Sequence, residues 1–217
     1  SGAIAAAATS SLPEEIGGVR NWDYRYTWIR DTALTLQALY DLGHLSELEG
    51  YLKWIKKIIR ESGADLRIMY GLRGETKLTE AELGHLEGYK GSAPVRIGNA
   101  AEDQLQLDIY GEIMDAALKL SNYAGKIDIG LWNFLKEICD HVAANWQNPD
   151  NGIWEVRGGP YPFVHSKVMC WVALDRGLTI ARRYGFPAER DLWRQTADDI
   201  RKDVLAKGWS EAKQAFV

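Results

Sequence analysis

Three segments hold side chains that could do chemistry together. Residues 148–165 contain a turn signal at Asp150-Asn151-Gly152, then a short run, expected to be extended, that carries Glu155 between Trp154 and Val156 ahead of Gly158-Gly159. Apolar flanks disfavour a carboxylate anion by desolvation, the condition a general acid near neutral pH requires. The plainer alternative is a surface glutamate on a hairpin, paired with Arg157. Residues 21–31, Asn-Trp-Asp-Tyr-Arg-Tyr-Thr-Trp-Ile-Arg-Asp, set four aromatics beside two Arg and two Asp. Stacking faces next to charged donors and acceptors are what a polyhydroxylated ring needs, and Tyr26, Trp28, Arg30 and Asp31 are the candidates. Here the plainer alternative is that Asp31 caps a helix, Arg30 pairs with it and the aromatics fill the junction. Residues 86–99 place Tyr89 and Arg96 among glycines and Pro94, a composition suited to fixed turns and close backbone approach. Asn99 then either caps the following helix or faces a ligand, and Gln104 and Asp108, four apart, would share one face of that helix.

Other chemistries lack their patterns. There is no phosphate-loop spacing of glycines and lysine, His85, His141 and His165 are too far apart for a zinc site of the HExxH kind, and no nucleophile elbow surrounds Ser166. No metal and no cofactor is expected.

Helices must position these segments. Apolar residues recur with a 3.6-residue period over about 32–42, 46–62, 100–122, 129–146, 166–184 and 188–207, with almost no strand alternation. Gly43 closes the first. Ser46 with Glu49 forms a capping box for the second, whose stripe is Leu48, Leu52, Ile55, Ile58 and Ile59 and whose stop is Gly63. The third carries Leu105, Ile109, Ile113, Ala116, Ala117 and Leu120 on one side, and Pro187 opens the sixth. The six make three adjacent pairs. The starts near Asp31, Ala100 and Ser166 recur at similar intervals, each after a long Gly- and aromatic-rich segment, which puts the long loops on one face of an all-α scaffold. The polar sixth helix, with Asp198-Asp199, is expected outside the more apolar third and fifth.

The bulk composition agrees with one soluble domain or part of a larger one: 217 residues, 46% hydrophobic, 26% charged, net charge -4. That charge gives no basic face for nucleic acid, and no apolar run suits a membrane span. Cys139 and Cys170 lie in apolar helical segments without a partner motif and are expected to be reduced, buried thiols. The first residues lack a basic, long-apolar signal peptide, so a cytoplasmic location is the default expectation. Nine Trp and ten Tyr, several in glycine-rich segments, suit the apolar faces of sugar rings.

In their joint order, Asp23-Tyr-Arg-Tyr-Thr-Trp-Ile-Arg-Asp31, Ile68-Met-Tyr-Gly71, Gly91-Ser-Ala-Pro-Val-Arg-Ile-Gly-Asn99, Trp154-Glu155 and His165-Ser-Lys-Val-Met-Cys-Trp171 resemble the glucoamylase family. These are inverting exo-acting α-glucosidases that also include microbial trehalases and glucodextranases, and the wording here is nearer the bacterial and archaeal branch. The resemblance covers nearly the whole chain. It implies a toroid of six helix pairs, an (α/α)6 fold, of which residues 1–217 supply three pairs, a partial catalytic domain. It makes Glu155 the general acid, has Arg30 and Asp31 grip the terminal glucose and Tyr26 and Trp28 wall it, and Trp154, Arg157, Tyr89 and Arg96 complete the expected substrate-binding set. The family's general base belongs to a later loop, and nothing here corresponds to the N-terminal β domain of the prokaryotic branch. Val156 stands where fungal members carry a second acidic residue, which leaves the leaving-group side of the substrate open. The expected activity is hydrolysis of terminal α-linked glucose in maltooligosaccharides and α-glucans. The alternatives are an α,α-trehalase of the same family and a non-catalytic sugar-binding or helical scaffold piece. The expected partner is an α-glucoside, with neither nucleic acid nor membrane, and the isolated chain is expected to be inactive. Exposed helix flanks would be covered by self-association or by the missing half-domain.

Overall fold

The apolar repeats become six helices in the computed structural model, which describes residues 2–62 and 66–217. They are α1 (Ile29–Asp41), α2 (Leu45–Ser62), α3 (Asp108–Ala124), α4 (Ile129–Asn145), α5 (Val164–Tyr184) and α6 (Arg190–Lys207). Short two-residue strands pair antiparallel: β1 (Thr27–Trp28) with β2 (Met69–Tyr70), β3 (Ala81–Glu82) with β4 (Arg96–Ile97), and β5 (Trp209–Ser210) with β6 (Ala215–Phe216). The fold class is all-α, as expected. Among the described residues no helix is long and apolar enough to cross a membrane.

The chain divides into two compact units, Ser1–Ile58 with Arg67–Gln104, and Ile59–Leu66 with Leu105–Val217. In the first, residues 6–11 run along the 21–31 segment, with amides of Ala6, Ala7 and Ser11 donating to the carbonyls of Tyr26, Tyr24 and Trp22. The Ile29 amide continues the β1–β2 pairing by donating to Ile68. Leu48, Ile55 and Ile58 of the expected α2 stripe are buried, beside stacked Tyr51 and Trp54 and the Tyr70 ring. The side chains of Leu52 and Ile59, and the expected stop at Gly63, lie outside the described residues.

In the second unit α5 is the hub, packed on α3, α6 and α4. The α3–α5 approach is close enough to require glycine: a Cβ at Gly111 would stand 2.4 Å from the Met169 carbonyl oxygen. Across α4 and α6, Trp132 meets Phe186 and Trp193, while their indole N–H groups donate to the Pro187 carbonyl and the Asp140 carboxylate. Trp132 and Trp193 are fully buried, and burying a large apolar side chain contributes about 1.5–3 kcal/mol. The polar sixth helix buries only Trp193, Thr196, Ala197 and Ile200.

Several boundaries differ from those expected from the sequence. The third helix does not begin at Ala100: residues Ala100–Asp103 form a 3-10 turn capped by Asn99, whose side chain accepts from the Ala101 amide at 3.0 Å. Residues 104–106 then leave helical geometry and α3 starts only at Asp108, where the Leu107 amide donates instead to the Asp150 carboxylate. Gln104 and Asp108 therefore do not share a helix face, Leu105 is exposed outside α3, and the even spacing of helix starts disappears. The rest of the α3 stripe, from Ile109 to Leu120, is buried as expected. The capping box at Ser46 is absent, because α2 already begins at Leu45 and the Ser46 hydroxyl donates to Glu47. Residue Asp31 sits in the first turn of α1 rather than at its cap, which is Trp28, and α6 begins at Arg190, beyond Pro187. Gly43, with φ 82°, follows the α1 C-cap as expected.

Candidate active site

The first unit gathers Tyr26, Trp28, Arg30, Asp31, Tyr89 and Arg96. Its keystone is Asp23, a residue the sequence reading left out of the site. With no exposed surface, Asp23 accepts from the Arg25 amide and guanidinium, the Tyr26 hydroxyl at 3.1 Å and the Gly98 amide at 3.2 Å. Burial alone would raise its pKa, but the hydrogen bonds and charge of Arg25, with Tyr26, outweigh this and hold it below the usual 3.8. The 21–31 and 86–99 segments are thus joined at one carboxylate. Burial, then the charge of Asp23, pushes the Tyr26 phenol up, so it stays protonated.

The Tyr26 and Trp28 rings lie 6.4 Å apart, and Tyr24 is 5.9 Å from Trp28. Only 3% of Trp28 is exposed, so it backs this cluster rather than lining open space. Arg30 is buried in the first turn of α1 and Asp31 is exposed there, where the helix dipole favours its negative charge. Tyr89 is exposed on a short 3-10 turn. Arg96 is committed to its own surroundings: its guanidinium stacks 4.7 Å from the Trp22 ring centroid and donates to the Val19 carbonyl and Glu82. Its backbone amide and carbonyl are bridged by Ser10 and Ser11 hydroxyls.

The second unit carries Trp154, Glu155 and Arg157 on one loop. The expected extended run is not there: residues 152–155 form a turn, and Glu155 has φ 52°, in the left-handed region. For a side chain other than glycine this conformation costs about 1–2 kcal/mol and persists only where the surroundings enforce it. The Glu155 amide donates to the Gly152 carbonyl, and the turn closes as Val156 and Asn151 exchange hydrogen bonds, amide to carbonyl at 3.1 Å and Asn151 side chain to the Val156 carbonyl at 3.0 Å. Gly152, at φ 64°, lies so close to the Phe163 ring that a Cβ would approach it to 2.6 Å. The apolar flanks do not enclose the carboxyl. Trp154 is 85% exposed, Val156 and Glu155 are half-buried, and Arg157 is exposed.

Below the turn, Asp150 is buried, with one oxygen accepting from Leu107 at 2.8 Å and the other from Gly152 at 3.2 Å. Burial pushes its carboxyl up, with neighbouring Asp108 adding to this, against the pull of the two amides and the Ser166 side chain. The sequence showed Asp150 only as a turn residue. Burial of a carboxylate at the base of a loop has no single-sequence signature. Cys139 and Cys170 are free and buried, and burial raises both thiols, Cys170 to about 12, so neither is a nucleophile.

Relatives of this chain are trehalases. It is 46% identical to the trehalase of Mycobacterium tuberculosis over 95% of its own length and 43% identical to that of Thermoplasma acidophilum over 100%. Trehalase 1 of Sulfolobus acidocaldarius is 42% identical over 81%. The chain spans only 31%, 37% and 32% of those proteins. A solved glycosidase structure superposes with a TM-score of 0.71 at 19% identity, covering 97% of this chain and 53% of that one. With the sequence model of glycosyl hydrolases family 15 matching residues 1–217, the chain belongs to that family.

Proposed function

We propose that the protein containing this chain is an inverting glycoside hydrolase that cleaves trehalose, with Glu155 as general acid. The observation that carries the reading is Glu155 itself: a carboxyl held in a costly left-handed turn, half-open to solvent beside a tryptophan that is almost wholly exposed. Its protonated carboxyl gives its proton to the glycosidic oxygen as the C1–O bond breaks. A water oxygen bonds C1 from the opposite face and passes its proton to a second carboxylate, leaving β-glucose from an α-linkage and free glucose as the leaving sugar. Trp154 offers a stacking face to the sugar, with Arg157 on the same loop as a donor. Arg30 and Asp31 hold glucose hydroxyls, Tyr26 and Trp28 form the wall behind them, and Tyr89 contributes from the neighbouring segment. Arg96 we assign to holding that segment in place, since its guanidinium is spent on protein partners.

Trehalose is favoured over maltooligosaccharides by the trehalases at 41–46% identity. The reading as a ligand-free scaffold would bury the aromatics of all the loops, and Trp154 runs against it. The test is Glu155→Gln in the full-length enzyme, assayed on trehalose and maltose with the first-formed anomer followed by NMR. The expected result is turnover of trehalose over maltose, one β-glucose formed with each α-glucose before mutarotation, and a loss of about 10²–10⁴-fold in kcat in the variant. Preference for maltose would restore the maltooligosaccharide reading, α-glucose alone from trehalose would exclude inversion, and an active variant would remove Glu155. The 217 residues alone are expected to release little or no glucose, because the second carboxylate belongs to a later segment in this family.

A further inference from the structure

We infer that Asp150 and Asn151 are positioning residues for Glu155, holding the strained turn in the one conformation that presents its carboxyl to the scissile oxygen. This rests on the reading of Glu155 as the acid. A left-handed glutamate in a short turn is not self-supporting, and backbone and side-chain restraints on the loop meet at these two residues. Asp150 exchanges both backbone hydrogen bonds with Tyr161, at 3.0 and 2.7 Å, so the two legs of the loop are pinned together at its base. Its carboxylate, 1% exposed, takes the Gly152 amide on one oxygen and on the other the Leu107 amide, 43 residues away in sequence. That second bond fixes the loop to the residue just before α3. Asn151 anchors the same strand of the loop by donating its amide to the Leu105 carbonyl at 2.8 Å, while its side chain clamps the Val156 carbonyl immediately after Glu155. One residue thus ties the turn to the scaffold and the next ties it to itself, with Glu155 between the clamped points.

Removing these restraints lets the turn relax from its unfavourable φ. The acid is then displaced, and a displacement of about 1 Å in a reacting group can cost about 10²-fold. Such a loss has a signature that general destabilisation lacks: it falls on substrates whose leaving group needs a proton. The full-length enzyme is therefore assayed as Asp150→Asn and Asn151→Ala on trehalose and on α-D-glucosyl fluoride, whose fluoride departs with far less help from an acid. Expected for Asp150→Asn is a fall in kcat on trehalose of about 10²-fold, with KM little changed and the fluoride rate within a few-fold of wild type. Asn151→Ala, which removes one half-buried side-chain bond, is expected to show the same selectivity at about tenfold and keeps the test open if the first variant does not fold. Equal losses on both substrates, or none on either, would overturn the positioning role. Glu155→Gln, run alongside, separates the two ideas. If it spares trehalose hydrolysis, the assignment of the acid fails; if it selectively loses trehalose while the Asp150 and Asn151 variants do not, the positioning role alone fails.

Discussion

At the scale of single residues, each unit has a buried carboxylate, and the two have opposite electrostatic balances. Around Asp150 desolvation prevails, and its pKa rises. Around Asp23 the donors prevail, and it falls. The consequence for stability follows from linkage: a depressed folded-state pKa means that the ionised form favours folding, so the contribution is present above the ordinary value of 3.8 and is lost as pH falls through the lower folded value. Arg25 sets the direction of that shift, but its half-exposed guanidinium is screened by solvent. The Gly98 amide and Tyr26 hydroxyl matter more, since each loses its acceptor when Asp23 is replaced, at about 1–3 kcal/mol per donor left unpaired. Asp23→Ala is therefore expected to be less stable than wild type by denaturant unfolding at neutral pH, with the gap narrowing below pH 3.8. A gap that does not change with pH would mean that Asp23 acts through shape rather than charge.

At the scale of elements, the packing of α3 on α5 depends on Gly111. The atom a Cβ would meet is a backbone oxygen of Met169, which cannot swing aside as a long side chain could. Gly111→Ala gains helix propensity but should still cost about 1–3 kcal/mol through overpacking, read as a lower Tm; an unchanged or raised Tm would show that the two helices slide apart freely. This contact also marks what was legible in the sequence. Helix existence was, because Ile109, Ile113, Ala117 and Leu120 repeat on one face whatever they pack against. The start of α3 was not. Periodicity and Asn99 argued for Ala100, but Asp150 captures the Leu107 amide from far along the chain and stops the helix short. The same limit applies to the site. Glu155 was singled out by flanks that do not enclose it and by family likeness, whereas its left-handed backbone and the hydrogen bonds of Asp150 and Asn151 depend on contacts that no local pattern encodes.

At the scale of the molecule, the described residues of the second unit carry a partly open apolar face. Between α5 and α6 runs an open cleft of about 250 Å³ lined by Val168, Trp171, Ile200, Val204 and Leu205 with Arg201. Val168 and Leu205 are exposed, as are Trp209 and Phe216 in the β5–β6 hairpin beyond α6. The lining residues recur on α6 at 200, 204 and 205, the spacing by which a helix presents an apolar stripe to a neighbouring helix. Helix-on-helix packing is how the rest of this unit buries its stripes, and relatives of which this chain spans 31–37% have ample further sequence to supply such a helix. Expressed alone, the 217 residues would leave the stripe to water, at about 25 cal/mol per Å² of apolar surface not buried, and association between copies would recover part of that. We therefore expect residues 1–217 to sediment as a dimer or larger and to bind an apolar dye, with Leu205→Lys moving both toward the monomer. A dye-silent monomer would mean that the face is complete without a partner, and that the arginine in the cleft is enough to keep it in water.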